Sequence, residues 1–196
     1  GRTIGALAAQ GPEKMETFNT AVNDFKLLEF GDHELLKSSI NENTAAVIIE
    51  PIQGEGGVRE VPTFCLEAIR KLCDENEVLL IFDEVQCGMG RTGKMFAYQW
   101  SNIEPDIMTI AKAIGNGFPI GACLTSKKVG DAMEFGSHGS TFGGNPLACS
   151  VGNAVLDLMT LPKFFSEVVT VSEKLLLDLN KVANDYPDII EGIRGK

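Results

Sequence analysis

The chain has 196 residues, with 17 basic and 27 acidic side chains and a formal net charge of −10 at pH 7. A surface this acidic repels phosphate backbones and anionic lipids, so we expect neither a nucleic-acid partner nor a membrane partner. Apolar residues make up 44% of the chain, and the 21 glycines and 8 prolines stay below the level typical of disordered chains. The composition predicts a soluble globular protein.

The cysteines and the chain ends carry further predictions. The five cysteines contain no Cys-x-x-Cys pair, and neither of the two histidines lies at a ligand spacing. We therefore expect no metal site and no disulfide framework, but reduced thiols in a cytoplasmic protein. No apolar run approaches the ~18 residues of a membrane span, and no charged-then-apolar leader is present. The chain lacks an initiator methionine and stops abruptly, so we expect a piece of a longer polypeptide.

Short apolar runs alternate with helical stretches along the chain. We predict strands over five ranges, the first of them the weakest: Phe25–Asp32, Ala45–Pro51, Val78–Val85, Asp106–Ala113 and Ile120–Ser126. We predict helices over three ranges: Thr63–Asn76, Asn145–Met159 and Pro162–Asn184. Strands that are apolar on both faces and alternate with helices indicate a mainly parallel sheet covered by helices, an α/β fold. In such sheets a ligand binds beyond the carboxyl ends of the strands.

The first two predicted helices each carry one apolar stripe. In the first it consists of Cys65, Ile69, Leu72 and Cys73. In the second it consists of Leu147, Val151, Val155 and Leu158. Asn145 and Pro146 provide an N-cap and a first helical residue for the second helix.

The glycine loop that follows the predicted strand Val78–Val85 matches two generic motifs poorly. Gly88–Gly93 (GMGRTG) fits the dinucleotide fingerprint GxGxxG, but Asp83 and Glu84 come between the strand and the first glycine. Gly88–Lys94 nearly fits a phosphate-binding P-loop, but Met95 stands where a hydroxyl residue must bind magnesium. We disfavour both motifs.

A better match to known chemistry is an aspartate at one strand end and a lysine at the next, Asp83 and Lys112. A buried strand-end lysine can lose its proton and attack a carbonyl group. A carboxylate nearby can keep a heterocyclic nitrogen protonated. Together these groups suit pyridoxal phosphate. The alternative, that the two side chains only pair with each other or cap loops, stays open on this evidence.

At these residues the sequence resembles a known family. The blocks GRTIGALAA, IIEPIQGEGG, LIFDEVQCGMGRTGKMFAYQ, PDIMTIAKAIGNGFPIGA and GSHGSTFGGNPLA occur in the order and spacing of the class III pyridoxal-phosphate aminotransferases. The resemblance implies the large cofactor domain of fold type I, like that of aspartate aminotransferase, in incomplete form. It also implies transfer of the terminal amino group of an ω-amino acid to 2-oxoglutarate.

The resemblance implies roles for nine residues. Those implied to bind pyridoxal 5′-phosphate are Asp83, Glu84, Val85, Gln86, Lys112 and Thr141. Those implied to bind substrate are Arg2, Glu55 and Ser140. Among them, Lys112 would bond to the cofactor aldehyde and carry protons, and Asp83 would pair with the pyridinium nitrogen. Val85 would pack on a ring face and Gln86 would contact the ring hydroxyl side.

The remaining implied roles concern the substrate and a partner subunit. Arg2 would grip the substrate carboxylate with a bidentate fork, and Ser140 would lie beside the substrate. Glu55 would line the substrate side, where relatives pair it with an arginine of a C-terminal domain. Thr141 would contact the cofactor phosphate of a neighbouring subunit, so the resemblance implies a homodimer.

The resemblance also implies a domain organisation. Residues 1–186 would form part of the cofactor-binding large domain, and residues 187–196 would begin the link to a small domain. An upstream phosphate loop and a stacking aromatic would lie outside the chain, so the chain by itself would be inactive. A non-catalytic interaction module on the same fold is the alternative, which Lys112, Asp83, Gln86 and Thr141 disfavour because such a module has no need of them.

Overall fold

The computed structural model describes residues 3–10 and 25–196. The chain divides into two compact units, Gly1–Asn43 and Thr44–Lys196. In the first unit, the described helices are α1 (Ile4–Ala8) and α2 (His33–Ser39). The strand predicted at Phe25–Asp32 is wrong, because Gly31 adopts φ +91° in a turn and the Asp32 carboxylate accepts the N–H of Leu35 at 2.8 Å. Asp32 thereby begins a helix instead of ending a strand.

The second unit contains the sheet and four helices. Its described strands are β1 (Ala46–Ile49), β2 (Ile52–Gln53), β3 (Arg59–Glu60), β4 (Leu79–Asp83), β5 (Ile107–Ile110) and β6 (Ala122–Thr125). Its described helices are α3 (Thr63–Glu75), α4 (Lys127–Gly130), α5 (Pro146–Met159) and α6 (Phe164–Asp185). Apart from Phe25–Asp32, all the predicted strands are confirmed, and so are all three predicted helices. Their ends differ from the predicted ends by at most a few residues.

The main sheet has the order β1-β4-β5-β6. The pairs β1–β4 and β4–β5 are parallel, while β5–β6 is antiparallel. Two-residue β2 and β3 form a separate antiparallel hairpin. The predicted mainly parallel sheet is therefore confirmed. The two outer strands differ from the expected burial on both faces. All four residues of β6 are exposed, and no residue of β1 is buried.

The core of this unit lies on the central strand β4. Leu80 and Phe82 are fully buried there, and α3 contributes the buried side chains Cys65, Ile69 and Cys73 of its predicted stripe. One polar connection ties α3 to the sheet, because Arg70 reaches the Asp106 carboxylate at 2.8 Å. The same carboxylate oxygen accepts the N–H of Leu80 at 2.8 Å.

Helix α5 buries a face that matches its predicted stripe only in part. Asn145 caps it as predicted, accepting the N–H of Ala148 at 3.0 Å. The buried residues are Ala148, Gly152 and Met159, whereas Leu147 and Leu158 are more than half exposed. The predicted stripe is therefore the packing face only in part, since its Val155 packs against the core while its two leucines are exposed. Gly152 faces Ile114 and Ile120 at ordinary contact distance.

No helix in the described part of the chain is long and apolar enough to cross a membrane.

Candidate active site

Three parallel strands bring their carboxyl ends to one edge of the sheet. Glu50 follows β1, Asp83 ends β4, and Lys112 follows β5 by two positions. The register pairs Asp83 directly with Thr109 of β5. The edge where the fold predicts a ligand therefore carries two acidic groups and one amine.

Asp83 is held in a fixed orientation by two donors. Its Oδ1 accepts the N–H of Val85 at 3.0 Å and the hydroxyl of Thr109 at 3.1 Å. The Val85 contact caps the loop that follows β4, which is the alternative role that the sequence left open for Asp83. Among the described residues, no ion pair joins Asp83 to Lys112, and no hydrogen bond uses the second oxygen, Oδ2. That oxygen is free to bind an N–H group of a ligand.

Lys112 occupies a strained backbone position at the start of a 3₁₀ turn, Lys112–Ile114. Its φ is +47°, in the left-handed region that side-chain-bearing residues rarely adopt. Such a conformation costs about 1–3 kcal/mol and clusters at functional sites. The side chain is exposed, not buried as the sequence interpretation assumed. The difference arises because the lysine lies beyond the last buried residue of β5, in the turn and not in the strand.

Glu50 is a site residue that the sequence interpretation did not single out. Burial raises the pKa of its carboxyl group, and the negative charges of Asp83 and Glu55 raise it further. The N–H of Gly54 and the positive charge of Lys112 oppose this shift without cancelling it. The carboxyl group of Glu50 is therefore subject to the charges of Asp83, Lys112 and Glu55. Its position near the carboxyl end of the predicted strand Ala45–Pro51 was a signal that could have identified it.

Gln86 lies against the loop between β2 and β3. A Cβ atom at Gly54 would come within 1.3 Å of the Gln86 side-chain oxygen, so a larger residue there would displace the Gln86 side chain. Glu55 is the next residue of that loop and is exposed. The structure therefore places the loop that carries Glu55, a predicted substrate residue, against Gln86, a predicted cofactor residue.

Glu84 points away from this edge, into the protein interior. It is fully buried, and its carboxylate accepts the N–H groups of Ala97 and Tyr98 at 2.8 Å each. Cys87 contacts the same carboxylate at 3.5 Å. The geometry does not support a side-chain contact between Glu84 and a cofactor, because successive residues of a strand face opposite sides. Its role here is to fix the segment that follows β4.

The glycines of the GMGRTG segment serve packing. A Cβ at Gly88 would meet the Glu84 carbonyl oxygen at 2.6 Å, and one at Gly93 would meet Val169 at 2.6 Å. Gly90 has φ +83° and faces Met159. All three glycines are buried, so the segment offers no open cradle to a dinucleotide phosphate.

The other predicted substrate and phosphate contacts lie elsewhere. Ser140 and Thr141 belong to an exposed loop ahead of α5, and no described hydrogen bond connects either residue to Asp83 or Lys112. Arg2 lies outside the described residues. In residues 3–10 and 25–196, no three His, Cys, Asp or Glu side chains form a cluster that could hold a metal ion.

The donor set fits pyridoxal phosphate. Asp83 offers a free carboxylate oxygen at the end of β4, Gln86 offers an amide three residues further on, and Lys112 offers an exposed amine in the turn after the neighbouring strand β5. These groups match a pyridinium nitrogen, a ring hydroxyl and an aldehyde, respectively.

Comparisons with known proteins agree with this fit. The sequence profile of the family described as Aminotransferase class-III matches residues 1–196. The chain is 51% identical to acetylornithine aminotransferase 2 of Caulobacter vibrioides, covering 100% of this chain and 49% of that protein. The solved ornithine aminotransferase of Toxoplasma gondii superposes with a TM-score of 0.93 at 34% identity, over 100% of this chain and 47% of that one. N-acetylornithine aminotransferase of Stenotrophomonas maltophilia gives a TM-score of 0.78 at 36% identity, over 88% and 44%.

The chain belongs to the class III aminotransferases. Its sheet and helices are those of the pyridoxal-phosphate aminotransferase fold, as the sequence predicted. The chain spans about half the length of the curated relatives that it matches. Membership of this family confirms pyridoxal 5′-phosphate as the expected cofactor.

Proposed function

We propose that an enzyme containing this chain transfers the terminal amino group of N2-acetylornithine to 2-oxoglutarate. The products would be N-acetylglutamate 5-semialdehyde and glutamate, a step of arginine biosynthesis. The proposal depends mainly on one observation, that Asp83 and Lys112 lie at the ends of neighbouring parallel strands in a class III aminotransferase chain. Identities of 50–51% to acetylornithine aminotransferases of two bacteria support the choice of donor.

Each residue at the strand ends has a defined task in this reaction. When bound, pyridoxal phosphate supplies a sink for the electrons left when the donor's C–H bond breaks. Asp83 would hold a proton on the ring nitrogen through Oδ2, while Thr109 and Val85 keep Oδ1 in place. Gln86 would orient the ring through its hydroxyl oxygen, and Val85 would pack on one ring face.

Lys112 would have two tasks in succession. Its Nζ would first hold the cofactor by a bond to the aldehyde carbon. Displaced by the donor amine, the same Nζ would take the proton from the donor carbon and release it again.

The substrate contacts and the assembly complete the proposal. Arg2, Glu55 and Ser140 would bind the donor and 2-oxoglutarate, and Thr141 would bind the cofactor phosphate of a second subunit. The active enzyme would then be a homodimer, which sedimentation of the active species tests. We further propose that residues 1–186 belong to the large domain and 187–196 to a link with a small domain. The free cysteines fit a cytoplasmic location.

Ornithine is the second candidate donor, because the ornithine aminotransferase of Toxoplasma gondii superposes on the whole chain. The test is a panel assay of the longer enzyme with N2-acetylornithine, ornithine, N2-succinylornithine and 4-aminobutyrate, each with 2-oxoglutarate. We expect the highest kcat/KM for N2-acetylornithine. A higher kcat/KM for ornithine would identify ornithine as the amino donor and leave the reaction class unchanged. An enzyme that shows no cofactor absorption and no turnover would favour the non-catalytic alternative.

A further inference from the structure

The loop that carries Glu55 has a backbone conformation that needs external support. Residues 54–58 connect β2 to β3, and the N–H groups of Gly57 and Val58 both donate to the carbonyl of Gly54 at 3.2 Å. Gly57 has φ +100° and Val58 has φ +52°. A β-branched residue in the left-handed region is strained by about 1–3 kcal/mol and persists only where its surroundings fix it. We therefore expect contacts from other segments to hold the backbone of this loop.

Two of these contacts come from the candidate active site. The Glu50 carboxylate accepts the N–H of Gly54 at 3.3 Å. The Gln86 side chain fills the space where Gly54 lacks a Cβ atom. Both contacts act at the first residue of the loop, before Glu55. They leave the second half of the loop unsupported.

The third contact comes from Arg194, which lies 137 positions away in the chain and acts at the far end of the loop. Its Nε donates to the carbonyl of Gly57 at 2.9 Å. Its Nη2 lies 3.5 Å from where a Cβ of Gly57 would stand, so the guanidinium group covers this residue. Two residues further on, Lys196 pairs with Glu60 of β3 and lies 5.2 Å from the ring of Trp100. The segment 194–196 thus runs along the hairpin with an anchor at each end.

We propose that Arg194 is a positioning residue that holds the Glu55 loop in its substrate-binding arrangement. The proposal rests on the proposed function, because it assigns Glu55 to the amino donor. Arg194 does not touch the groups that bind the cofactor. Arg194 binds the Gly57 carbonyl after Glu55, and Glu50 and Gln86 contact Gly54 before it. These two points hold the backbone on either side of Glu55.

The test uses Arg194→Ala and Arg194→Lys in the longer enzyme that contains this chain. Loss of one net hydrogen bond corresponds to a factor of roughly 2–10, so we expect the KM for the amino donor to rise by that factor in Arg194→Ala. The bound cofactor and its absorption spectrum should stay unchanged. Arg194→Lys keeps a cationic donor and should restore part of the effect. The control is Lys181→Ala, which removes an exposed cation whose described ion pair is local, to Asp178.

A double-mutant cycle separates positioning from general destabilisation. If Arg194 acts through Glu55, Arg194→Ala should have no further effect on KM in a Glu55→Gln background. Effects that add fully in the double variant would overturn the proposal. So would an Arg194→Ala enzyme indistinguishable from the Lys181→Ala control.

Hydrogen exchange at the amides of Gly57 and Val58 tests the same contact without substrate. We expect faster exchange there in Arg194→Ala than in the wild type, and no change in Lys181→Ala. Unchanged exchange would refute the positioning contact even in an active enzyme. A wild-type enzyme that transaminates none of the ω-amines would instead refute the proposed function. The exchange rates would still test the contact between Arg194 and Gly57, because they do not depend on activity.

Discussion

Lys112 combines an exposed amine with a left-handed backbone at the end of a strand. We predict that Lys112→Ala abolishes turnover in the longer enzyme, since the cofactor loses its covalent attachment and the substrate loses its proton carrier. Loss of acid–base catalysis by itself lowers the rate by ~10²–10⁴-fold. Steady-state turnover of N2-acetylornithine measures this. The matched control is Lys71→Ala, an exposed helix lysine paired with Glu75 at 3.7 Å. Retention of more than a tenth of wild-type turnover in Lys112→Ala would contradict the assignment.

Asp83 has one oxygen fixed by Thr109 and Val85 and one oxygen free. In Asp83→Asn the amide keeps nearly the same shape but no negative charge. We therefore predict that the cofactor still binds while exchange of the donor's transferable hydrogen slows, since the ring nitrogen loses its protonated state. The measurement is washout of deuterium from the labelled donor. An exchange rate equal to that of the wild type would show that Asp83 is only a loop cap.

Glu84 gives a prediction about pH. Burial raises the pKa of its carboxyl group, and the N–H groups of Ala97 and Tyr98 do not fully offset this. The folded state then binds the proton more tightly than the unfolded state, so the stability due to Glu84 is greatest below its ordinary value of 4.5 and falls as pH rises through the raised value.

Glu84→Gln removes this titration. The melting temperature of the wild type minus that of Glu84→Gln should therefore decrease as the pH rises above 4.5 and through the raised pKa. Glu173→Gln, which changes an exposed acid on α6, should give a flat difference. A difference that grows with pH would mean that the hydrogen bonds outweigh burial.

The residues at the site differ in how far the sequence could predict them. Asp83 and Lys112 were predictable because apolar runs mark the strands and a ligand binds at the strand ends. Thr109 was not, since its contact with Asp83 depends on the register between β4 and β5. The inward direction of Glu84 depends on which face of β4 is the core, and two equally apolar faces conceal this in the sequence.

At the scale of elements, glycine positions show how the helices pack on the sheet. A Cβ at Gly152 of α5 would lie 3.8 Å from Ile114 and Ile120, which is ordinary contact. At Gly93, φ is +86° and a Cβ would lie 2.6 Å from Val169 of α6. The first position tolerates a methyl group, and the second does not.

We predict opposite effects for the two alanine substitutions. Gly152→Ala should stabilise the protein by up to ~1 kcal/mol, because alanine is the better helix former. Gly93→Ala should destabilise it by about 1–3 kcal/mol through backbone strain and the clash with Val169. Thermal unfolding of the two variants beside the wild type measures both. A lower melting temperature for Gly152→Ala would show that α5 sits closer to Ile114 than its backbone indicates.

The same helix shows the limits of sequence patterns for elements. The boundaries of α5 were predictable from Asn145, Pro146 and the apolar spacing, and the structure confirms them. Its packing face was predictable only in part, because Val155 of the predicted stripe packs against the core while Leu147 and Leu158 are exposed, and Ala148 and Gly152 are buried instead. The hairpin β2–β3 has only two residues in each strand, too few to give any periodic signal.

At the scale of the whole molecule, large apolar surfaces stay uncovered. Six leucines and valines of α6 are exposed by 40–66%, and Phe135 and Phe142 ahead of α5 are almost fully or largely exposed. Large exposed apolar side chains, where they form a patch, mark sites of interaction or association. Strand β1 lies at one end of the strand order in the described part of the chain, and Ile48 on it is 45% exposed. An unpaired strand edge likewise invites association.

These surfaces lead to a prediction for the 196-residue chain by itself. It contains Asp83, Gln86 and Lys112, but the matched relatives are about twice as long, so we expect further phosphate contacts to lie outside it. Each charge-assisted hydrogen bond contributes ~1.5–3 kcal/mol, and ~1.4 kcal/mol corresponds to tenfold in affinity. We predict that the isolated chain binds pyridoxal phosphate orders of magnitude more weakly than the longer enzyme and transaminates nothing measurable.

The experiment is to purify both proteins, add the cofactor and reduce with borohydride, which makes a cofactor–lysine bond permanent. Mass spectrometry then gives the labelled fraction at Lys112, and turnover of N2-acetylornithine is measured in parallel. The longer enzyme should label stoichiometrically and turn over, while the isolated chain should label weakly and show no turnover. Lys112→Ala of the longer enzyme provides the baseline for nonspecific labelling. Stoichiometric labelling of the isolated chain with normal turnover would show that the described strand ends already contain a complete site.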